Sequence, residues 1–464
     1  MKYPKDAQYV EAEYTPGTYN PFVAALPPLC EADEFIEQIA HFPPLPEHIS
    51  RMSYQERYIA IQQTQSFFYP LGYMYKIYLT LYSAMLATYQ SMNYIDSVKR
   101  INALYQSRYN ADGGLPVNNA ILGFPGIGKT STIQRCLSLF PQVIEHSKFN
   151  DQAILCKQIL YLRVECPSDC SVKTIAINIL SAINLALGYG PYNPGNVSRI
   201  STSAFCQNAK SLCLTYHVGF IAIDEIQNII TYAANKKQTR TLIKFLVELT
   251  NDTNTSICFI GTPAAEEFLS REEHLCRRTR GLRLLPFKYN ATYLSFTNAL
   301  WKYQYTDAVA DCSAHMTKEL YRLSGGIPAY MEMIFREAQI IALDSQIPHI
   351  NSALLRDAAE NLSIHPPEVR GQGKSISDFD FPITQNQPIS LTNSADHAIE
   401  SESASFTTET TQGNSTNARH HIHSSTIPQK GRKKVQRSPY DILELSKHND
   451  FIPALRKLGL LEEA

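Results

Sequence analysis

Net charge is all but missing from this chain: 42 lysines and arginines stand against 43 aspartates and glutamates over 464 residues. No global field therefore draws it to nucleic acid or an anionic membrane, and any DNA contact must come from a local basic surface. Long hydrophobic runs are missing too. No stretch approaches the ~18 apolar residues of a membrane span, and the start, Met1-Lys-Tyr-Pro-Lys-Asp6, is polar. The expectation is a soluble, cytosolic protein with no membrane partner. Disulfide and zinc patterns are likewise absent. Ten cysteines are scattered, several within apolar periodic runs, and Cys166 and Cys170 form one close pair with no second pair at zinc spacing. They read as reduced, buried thiols. No Ser/His/Asp triad and no nuclease-like set of carboxylates presents itself.

What the chain does have is apolar mass (44%) and aromatics, 27 Tyr and 20 Phe. At ~100–200 residues per domain its length suits two or three domains. It also has one loop around which the rest is arranged, Gly123-Phe-Pro125-Gly126-Ile127-Gly128-Lys129-Thr130-Ser131. This fits G-x-x-x-x-G-K-[ST], whose backbone N–H groups cradle phosphates. The apolar Asn119–Leu122 before it suits a buried parallel strand. Residues 131–140 after it suit a helix with Ile133, Cys136, Leu137 and Phe140 on one face. Strand, loop and helix together are the context the motif needs. Glycines let the backbone approach the phosphates and the helix N-terminus adds positive dipole. Lys129 would reach the β/γ-phosphates of a nucleoside triphosphate, and Thr130 would hold Mg²⁺.

Phe220-Ile-Ala-Ile-Asp224-Glu225 is a hydrophobic strand ending in two carboxylates. Asp224 sits where a strand end can enter the Mg²⁺ shell, and Glu225 can polarise a water for in-line attack. The next strand ends in Gly261-Thr262, placing Thr262 where it can hydrogen-bond the γ-phosphate or the attacking water. Arg277, Arg278 and Arg280 precede a fifth strand. Three arginines in four residues are commonly a solvated face. Here they stand where an oligomeric ATPase presents an arginine to its neighbour's γ-phosphate.

Along the chain, residues 1–50 are rich in proline and tyrosine and read as an extended arm with a short helix near 31–40. Residues 51–116 are helical with an aromatic stripe that belongs to a core rather than to a binding platform. Residues 117–290 alternate apolar runs with helical patterns, the mark of a parallel α/β sheet. Its expected strands are Asn119–Leu122, Gln158–Glu165, Gly219–Ile223, Ser256–Gly261 and Gly281–Leu285. Helices are expected at Lys173–Leu187, Ser203–Tyr216 and Lys237–Leu249. Residues 291–365 carry helical periodicity only, with a Ser324-Gly-Gly-Ile-Pro328 turn opening the helix Ala329–Leu343, and read as a small lid. Residues 366–437 form a Ser/Thr/Asn/Gln-rich linker, expected to be disordered, that ends in a basic knot (Lys430, Arg432, Lys433, Lys434, Arg437). Residues 438–464 begin with a capping box at Ser438 and read as a partner-docking helical peptide on this tether.

The order phosphate loop, Asp-Glu strand, Gly-Thr strand, Arg-Arg and Gly-Gly-Ile-Pro lid resembles an AAA+ ATPase. More narrowly it resembles the TnsC/TniB family of transposition regulators. The residues carrying this are Tyr19-Asn-Pro-Phe-Val-Ala-Ala-Leu-Pro27, Asp224-Glu-Ile-Gln227, Ile260-Gly-Thr262, His274-Leu-Cys-Arg-Arg278, Ser324-Gly-Gly-Ile-Pro-Ala-Tyr330 and Phe335-Arg-Glu-Ala-Gln339. The resemblance spans residues 15–362. It implies a bacterial ATPase that binds ATP and Mg²⁺ and oligomerises as a ring or filament on double-stranded DNA. Such a protein receives sites from a TniQ/TnsD-type selector and recruits transposase subunits, here through the tail. Cys166–Thr174 resembles the family's Pro-Ser…Lys segment and makes Lys173 and Thr174 its DNA phosphate contacts, with Lys148, Lys236, Lys237 and Arg240 as weaker candidates. One departure stands out: where such lids often carry a nucleotide-sensing arginine, this chain has Tyr330. That implies slow hydrolysis, or sensing by the neighbour's arginine.

Two rivals share the phosphate loop. A replication initiator or helicase loader would usually add a winged-helix domain after the lid. A nucleotide-switched signalling scaffold would need a repeat domain, and no repeat is legible.

Overall fold

The computed structural model describes residues 4–10, 20–45, 47–92, 100–102, 104, 117–193, 195, 197–231, 236–266 and 279–366. The chain begins with a two-residue strand β1 (Lys5–Asp6) and helices α1 (Pro21–Ala24), α2 (Ala32–Ile39), α3 (Tyr54–Gln63) and α4 (Gly72–Gln90). Then follow β2 (Asn118–Gly123), α5 (Lys129–Ser138), β3 (Val143–Phe149), β4 (Gln152–Ile159), β5 (Tyr161–Glu165), α6 (Val172–Leu187) and α7 (Thr202–Thr215). Next come β6 (Phe220–Asp224), α8 (Asn228–Thr231), α9 (Lys236–Thr253), β7 (Ser256–Gly261) and β8 (Thr279–Leu284). Helices α10 (Ala291–Leu300), α11 (Ala314–Ser324), α12 (Pro328–Asp344) and α13 (Ser352–Asn361) end the described part.

The main sheet has the order β5-β6-β7-β2-β8 with every pair parallel. Successive residues of a strand face opposite sides, and here each side meets its own helices. Ile121, Phe220, Ala222, Cys258 and Ile260 join one core with α4, α5 and the lid helices. Ala120, Leu122, Ile221, Ile223, Ile257 and Phe259 join the other with α6, α7 and α9. Burial on both faces is what makes these strands read as unbroken apolar runs.

Local signals set the helix ends. Ser53 and Glu56 form a reciprocal capping box at α3, Ser171 accepts from Thr174 N to start α6, and Pro328 occupies the first turn of α12. Gly188 and Gly325 close α6 and α11 in the left-handed conformation.

Two expectations need correction. The strand expected at Gln158–Glu165 is two strands, β4 and β5, which belong to different sheets. β3 and β4 form an antiparallel hairpin, with β1 parallel to β3 on its other side. Asn150 (φ 47°) and Asp151 (φ 62°) make the two-residue turn, both in the left-handed region that a tight hairpin requires. Within residues 1–50, expected as an extended arm, α1 and α2 pack their apolar residues into the core, while β1 stays exposed. Asn20 caps α1 and donates to the carbonyls of Tyr89 (2.7 Å) and Met92 (2.8 Å) at the end of α4. Phe22 is fully buried, 4.3 Å from the His217 ring and edge-on to His146. Burying one such side chain stabilises by roughly 1.5–3 kcal/mol, and Phe35, Ile36 and Ile39 are buried beside it in the same core. The aromatic stripe of α4 is core, with Tyr78 and Tyr89 buried, whereas Tyr54 and Tyr58 of α3 stack on one another at the surface. The linker and docking peptide expected at 366–464 lie outside the described residues, apart from residue 366.

Candidate nucleotide-binding site

The loop after β2 is shaped by its glycines. Gly126 (φ 77°) and Gly128 (φ 93°) take left-handed backbone that side chains disfavour, and Ile127 between them is buried as the loop's anchor. Gly128 is the N-cap of α5, so the first free N–H groups of that helix face the mouth of the loop, with Thr130 and Ser131 exposed there. Pro125 and Gly126 are also exposed at the mouth. Lys129 Nζ curls back to the loop, donating to the carbonyls of Gly123 (2.7 Å) and Phe124 (3.0 Å). Burial pulls its ammonium below the usual lysine range, and the charges of Asp224 and Glu225 partly offset this.

Asp224 ends β6 beside the loop. Its Oδ2 accepts from the Thr130 hydroxyl at 2.9 Å, and its Oδ1 accepts from Glu225 N at 2.9 Å. Its own carbonyl is held by Cys166 N (2.8 Å), which fixes the strand end. Glu225 is exposed with φ 57°, an uncommon conformation for a non-glycine residue and one that turns the chain sharply off the sheet. Ile226 N then returns to the Ile260 carbonyl of β7 (3.0 Å).

Thr262 follows β7, the strand between β2 and β6. Its N–H donates to Oε1 of Gln227 at 3.1 Å, while Nε2 of Gln227 donates to Oε2 of Glu225. Helix α12 borders the other side. Ala329 N, in the first turn of α12, donates to the Gly126 carbonyl at 3.2 Å, which sets Tyr330 next to the loop.

The residues of the phosphate loop, Asp224, Glu225 and Thr262 therefore meet at the C-terminal end of the parallel strands, where ligands of such sheets bind. Arg277 and Arg278 lie outside the described residues. Arg280 is in β8, its backbone paired with Asn119. Lys173 and Thr174 open α6, which follows β5. Lys173 Nζ donates to the carbonyls of Val197 (2.9 Å) and Ile200 (3.1 Å) and sits over the Phe205 ring, and Thr174 N is bound by the Ser171 cap. Lys148 pairs with Asp151 beside the hairpin turn, and Arg240 is exposed on α9. Gln227 is the site residue that motif reasoning passed over. It stood in the sequence as the last letter of Asp-Glu-Ile-Gln, with no role.

Mg²⁺ takes oxygen ligands, commonly one or two from protein with the remainder from phosphates and water. The Thr130 hydroxyl and the Asp224 carboxylate, already in contact, are such a pair, so the donor set fits. Among the described residues no group of three or more His, Cys, Asp or Glu could hold a metal alone.

Residues 119–269 match the family model described as an AAA domain. No curated protein matches the chain's sequence. Solved structures to which the chain shows similarity include the Orc1 protein of Aeropyrum pernix in complex with DNA, 13% identical, with 58% of this chain and 64% of that one covered and a TM-score of 0.37. The Orc2 protein of the same organism, in ADPNP-ADP complexes, is 14% identical over 57% of this chain and 66% of that one, with a TM-score of 0.36. Drosophila ORC bound to DNA is 12% identical over 75% of this chain and 73% of that one, at 0.39. The chain spans just under two-thirds of the length of each Aeropyrum protein. The fold is the AAA+ phosphate-loop fold: a parallel α/β core, with helices before and after it. Among the described residues no helix is long and apolar enough to cross a membrane.

Proposed function

We propose that this chain binds and slowly hydrolyses ATP and uses that cycle to control its own assembly on double-stranded DNA. The observation that carries the reading is the convergence of Lys129, Thr130, Asp224, Glu225 and Thr262 at one end of the sheet, with Thr130 and Asp224 in direct contact. Lys129 exchanges its two loop carbonyls for β- and γ-phosphate oxygens. Thr130 and Asp224 would hold Mg²⁺, which when bound would neutralise charge on the phosphates. Glu225 accepts a proton from the attacking water as the water oxygen bonds to Pγ and the bond from Pγ to the β–γ bridging oxygen breaks, releasing ADP and phosphate. Thr262 engages the γ-phosphate or that water. An arginine among Arg277, Arg278 and Arg280 reaches the γ-phosphate of a neighbouring subunit, making each site shared between copies.

The narrower setting rests on sequence motifs alone. Asn20-Pro-Phe and Asp224-Glu-Ile-Gln227 support a transposition regulator that receives target sites from a TniQ/TnsD-type selector and recruits transposase through residues 438–464. A replication initiator is the second reading. The solved structures named above are origin-recognition proteins, and their likeness reaches only the fold. On either reading Lys173 contacts a DNA phosphate with the N–H left over from its two carbonyl bonds, helped by Thr174, so binding is salt-steep and poor in sequence preference.

The test is electron microscopy and ATPase assay of the full chain with ATP and a random-sequence duplex. Rings or filaments that need both ATP and DNA support the proposal, and ATP-independent complexes, or no turnover, defeat it. Lys173→Ala should reduce the slope of log affinity against log salt by about one; an unchanged slope removes Lys173 from the interface. Deleting 430–464 should spare assembly and cost transposase capture on the first reading, whereas assembly at isolated origin sequences without transposase supports the second.

A further inference from the structure

Gln227 lies on the turn two residues beyond Glu225, and its side-chain amide is used at both ends. Oε1 accepts from the backbone N–H of Thr262 at 3.1 Å, and Nε2 donates to the Glu225 carboxylate. The two partners come from different strand ends, so one amide bridges the end of β6 to the end of β7. The neighbourhood is built around it. A Cβ on Gly261 would stand 2.6 Å from Gln227 Oε1 and 2.6 Å from Ile226 Cγ2, and only glycine leaves that space open. The backbone on either side is pinned, by Ile226 N to Ile260 O (3.0 Å) and Asn228 N to Glu225 O (2.9 Å). Glu225 itself is exposed on a left-handed backbone, and its carboxylate accepts from the Gln227 amide.

We infer that Gln227 is a positioning residue for hydrolysis: it ties the Glu225 carboxylate to the Thr262 strand end, so that the base and the γ-phosphate contact move as one unit. One Glu225 oxygen accepts from the amide and the other stays available for the proton of the attacking water. Because Thr262 N–H anchors the far end, a shift of Thr262 toward a γ-phosphate carries Glu225 with it. A glutamate swinging freely on an exposed turn would visit the attack geometry only part of the time, and misplacement by ~1 Å can cost ~10²-fold in rate. The inference rests on the ATPase reading above.

The experiment compares wild type, Gln227→Glu and Gln227→Leu, each alone and combined with Glu225→Gln, in ATP turnover and in binding of a fluorescent ATP analogue. Gln227→Glu keeps the length and an acceptor but loses the donor; Gln227→Leu loses both. Each single variant should bind nucleotide within about threefold of wild type while kcat falls ~10–10²-fold. In the Glu225→Gln background the same changes should have no further effect on kcat, because a group that acts only through Glu225 has nothing left to position. A merely structural role would weaken nucleotide binding and would persist in the double variants. Wild-type kcat in either single variant, a rise in kcat, or losses that add to that of Glu225→Gln would each overturn the inference alone. Absence of turnover in the wild type, or wild-type turnover in Glu225→Gln, would instead remove the ATPase reading and the inference with it.

Discussion

The hydroxyl of Thr130 donates to Oδ2 of Asp224 at 2.9 Å. One residue stands in the first turn of the helix after the phosphate loop, and the other ends a strand two places away in the sheet. The fold thus brings together two oxygens that are far apart in sequence, and a divalent ion would insert between them with little movement of either chain segment. Turnover should therefore vanish on chelation with EDTA and return with added Mg²⁺. Thr130→Ala should raise the Mg²⁺ concentration for half-maximal turnover by about tenfold or more, given that one charge-assisted contact is worth ~1.5–3 kcal/mol. An unchanged Mg²⁺ titration would take Thr130 out of the metal shell.

Lys129 Nζ donates to the carbonyls of Gly123 (2.7 Å) and Phe124 (3.0 Å), and among the described residues no carboxylate bonds it. Replacing two neutral acceptors by charged phosphate oxygens is a net gain for a partly buried cation whose charge burial disfavours. Lys129→Ala should weaken ATP binding by roughly 10²-fold, the equivalent of ~3 kcal/mol. DNA-bound assemblies should disappear with it. Titration of a fluorescent ATP analogue measures the first and negative-stain microscopy the second; wild-type affinity would break the assignment of this loop as the phosphate site.

Glu225→Gln keeps the side chain's length and removes its capacity to take a proton. Nucleotide binding should survive while kcat drops ~10²–10⁴-fold, the usual range for a general base. If hydrolysis is what dissolves the assembly, DNA-bound particles of this variant should persist after ATP is exhausted in a wild-type control. Turnover and disassembly at wild-type rates would mean that another group takes the proton.

Much of this site was legible because its chemistry is written in short, contiguous motifs. Residues 123–131 and Asp224-Glu225 each carry their own strand context, and the buried β2, β6 and β7 read as apolar runs for the reason that helices cover both their faces. The β3–β4 hairpin was missed but for its last two residues, Gln158 and Ile159, which were read as the start of the next strand. Asn150-Asp151 is a left-handed two-residue turn, yet β4 alternates weakly, with Leu155 on it 80% exposed, and its apolar end runs almost directly into β5. A period-two pattern cannot place a break between two adjacent apolar segments. The proline-rich start misled in a different way. Its turns suggested an arm, but Asn20 locks onto the end of α4 about 70 residues away, and Phe22 onto the His146–His217 region more than a hundred residues away, which no local pattern encodes. Gln227 was invisible as a functional residue because its role depends on Gly261 and Thr262 arriving from another strand.

That same buried corner fixes a pH dependence of stability. Burial drives the His217 imidazole down to about 4, with the neighbouring His146 pushing the same way and a bond to the Lys157 carbonyl opposing. His146 is also lowered, by burial, against a bond to Gln158. The His217 ring is therefore neutral in the folded protein where an unfolded chain, at about 6.5, would already take up a proton, and the His146 shift acts in the same direction. Above pH ~6.5 neither state binds that proton and the stability is fully present. As pH falls from there toward 4 the unfolded chain gains protons that the folded one refuses, so stability drops, on the order of a few kcal/mol in all. Glu319, held down to about 2 by Arg322 and Arg356, loses its contribution mostly at lower pH, so the two effects separate on the pH axis. Urea unfolding at pH 7.5, 5.5 and 4.5 should show this decline for the wild type and a shallower one for His217→Gln, which cannot be protonated. Identical slopes in the two proteins would mean that His217 is not what the acid side of the stability curve reports.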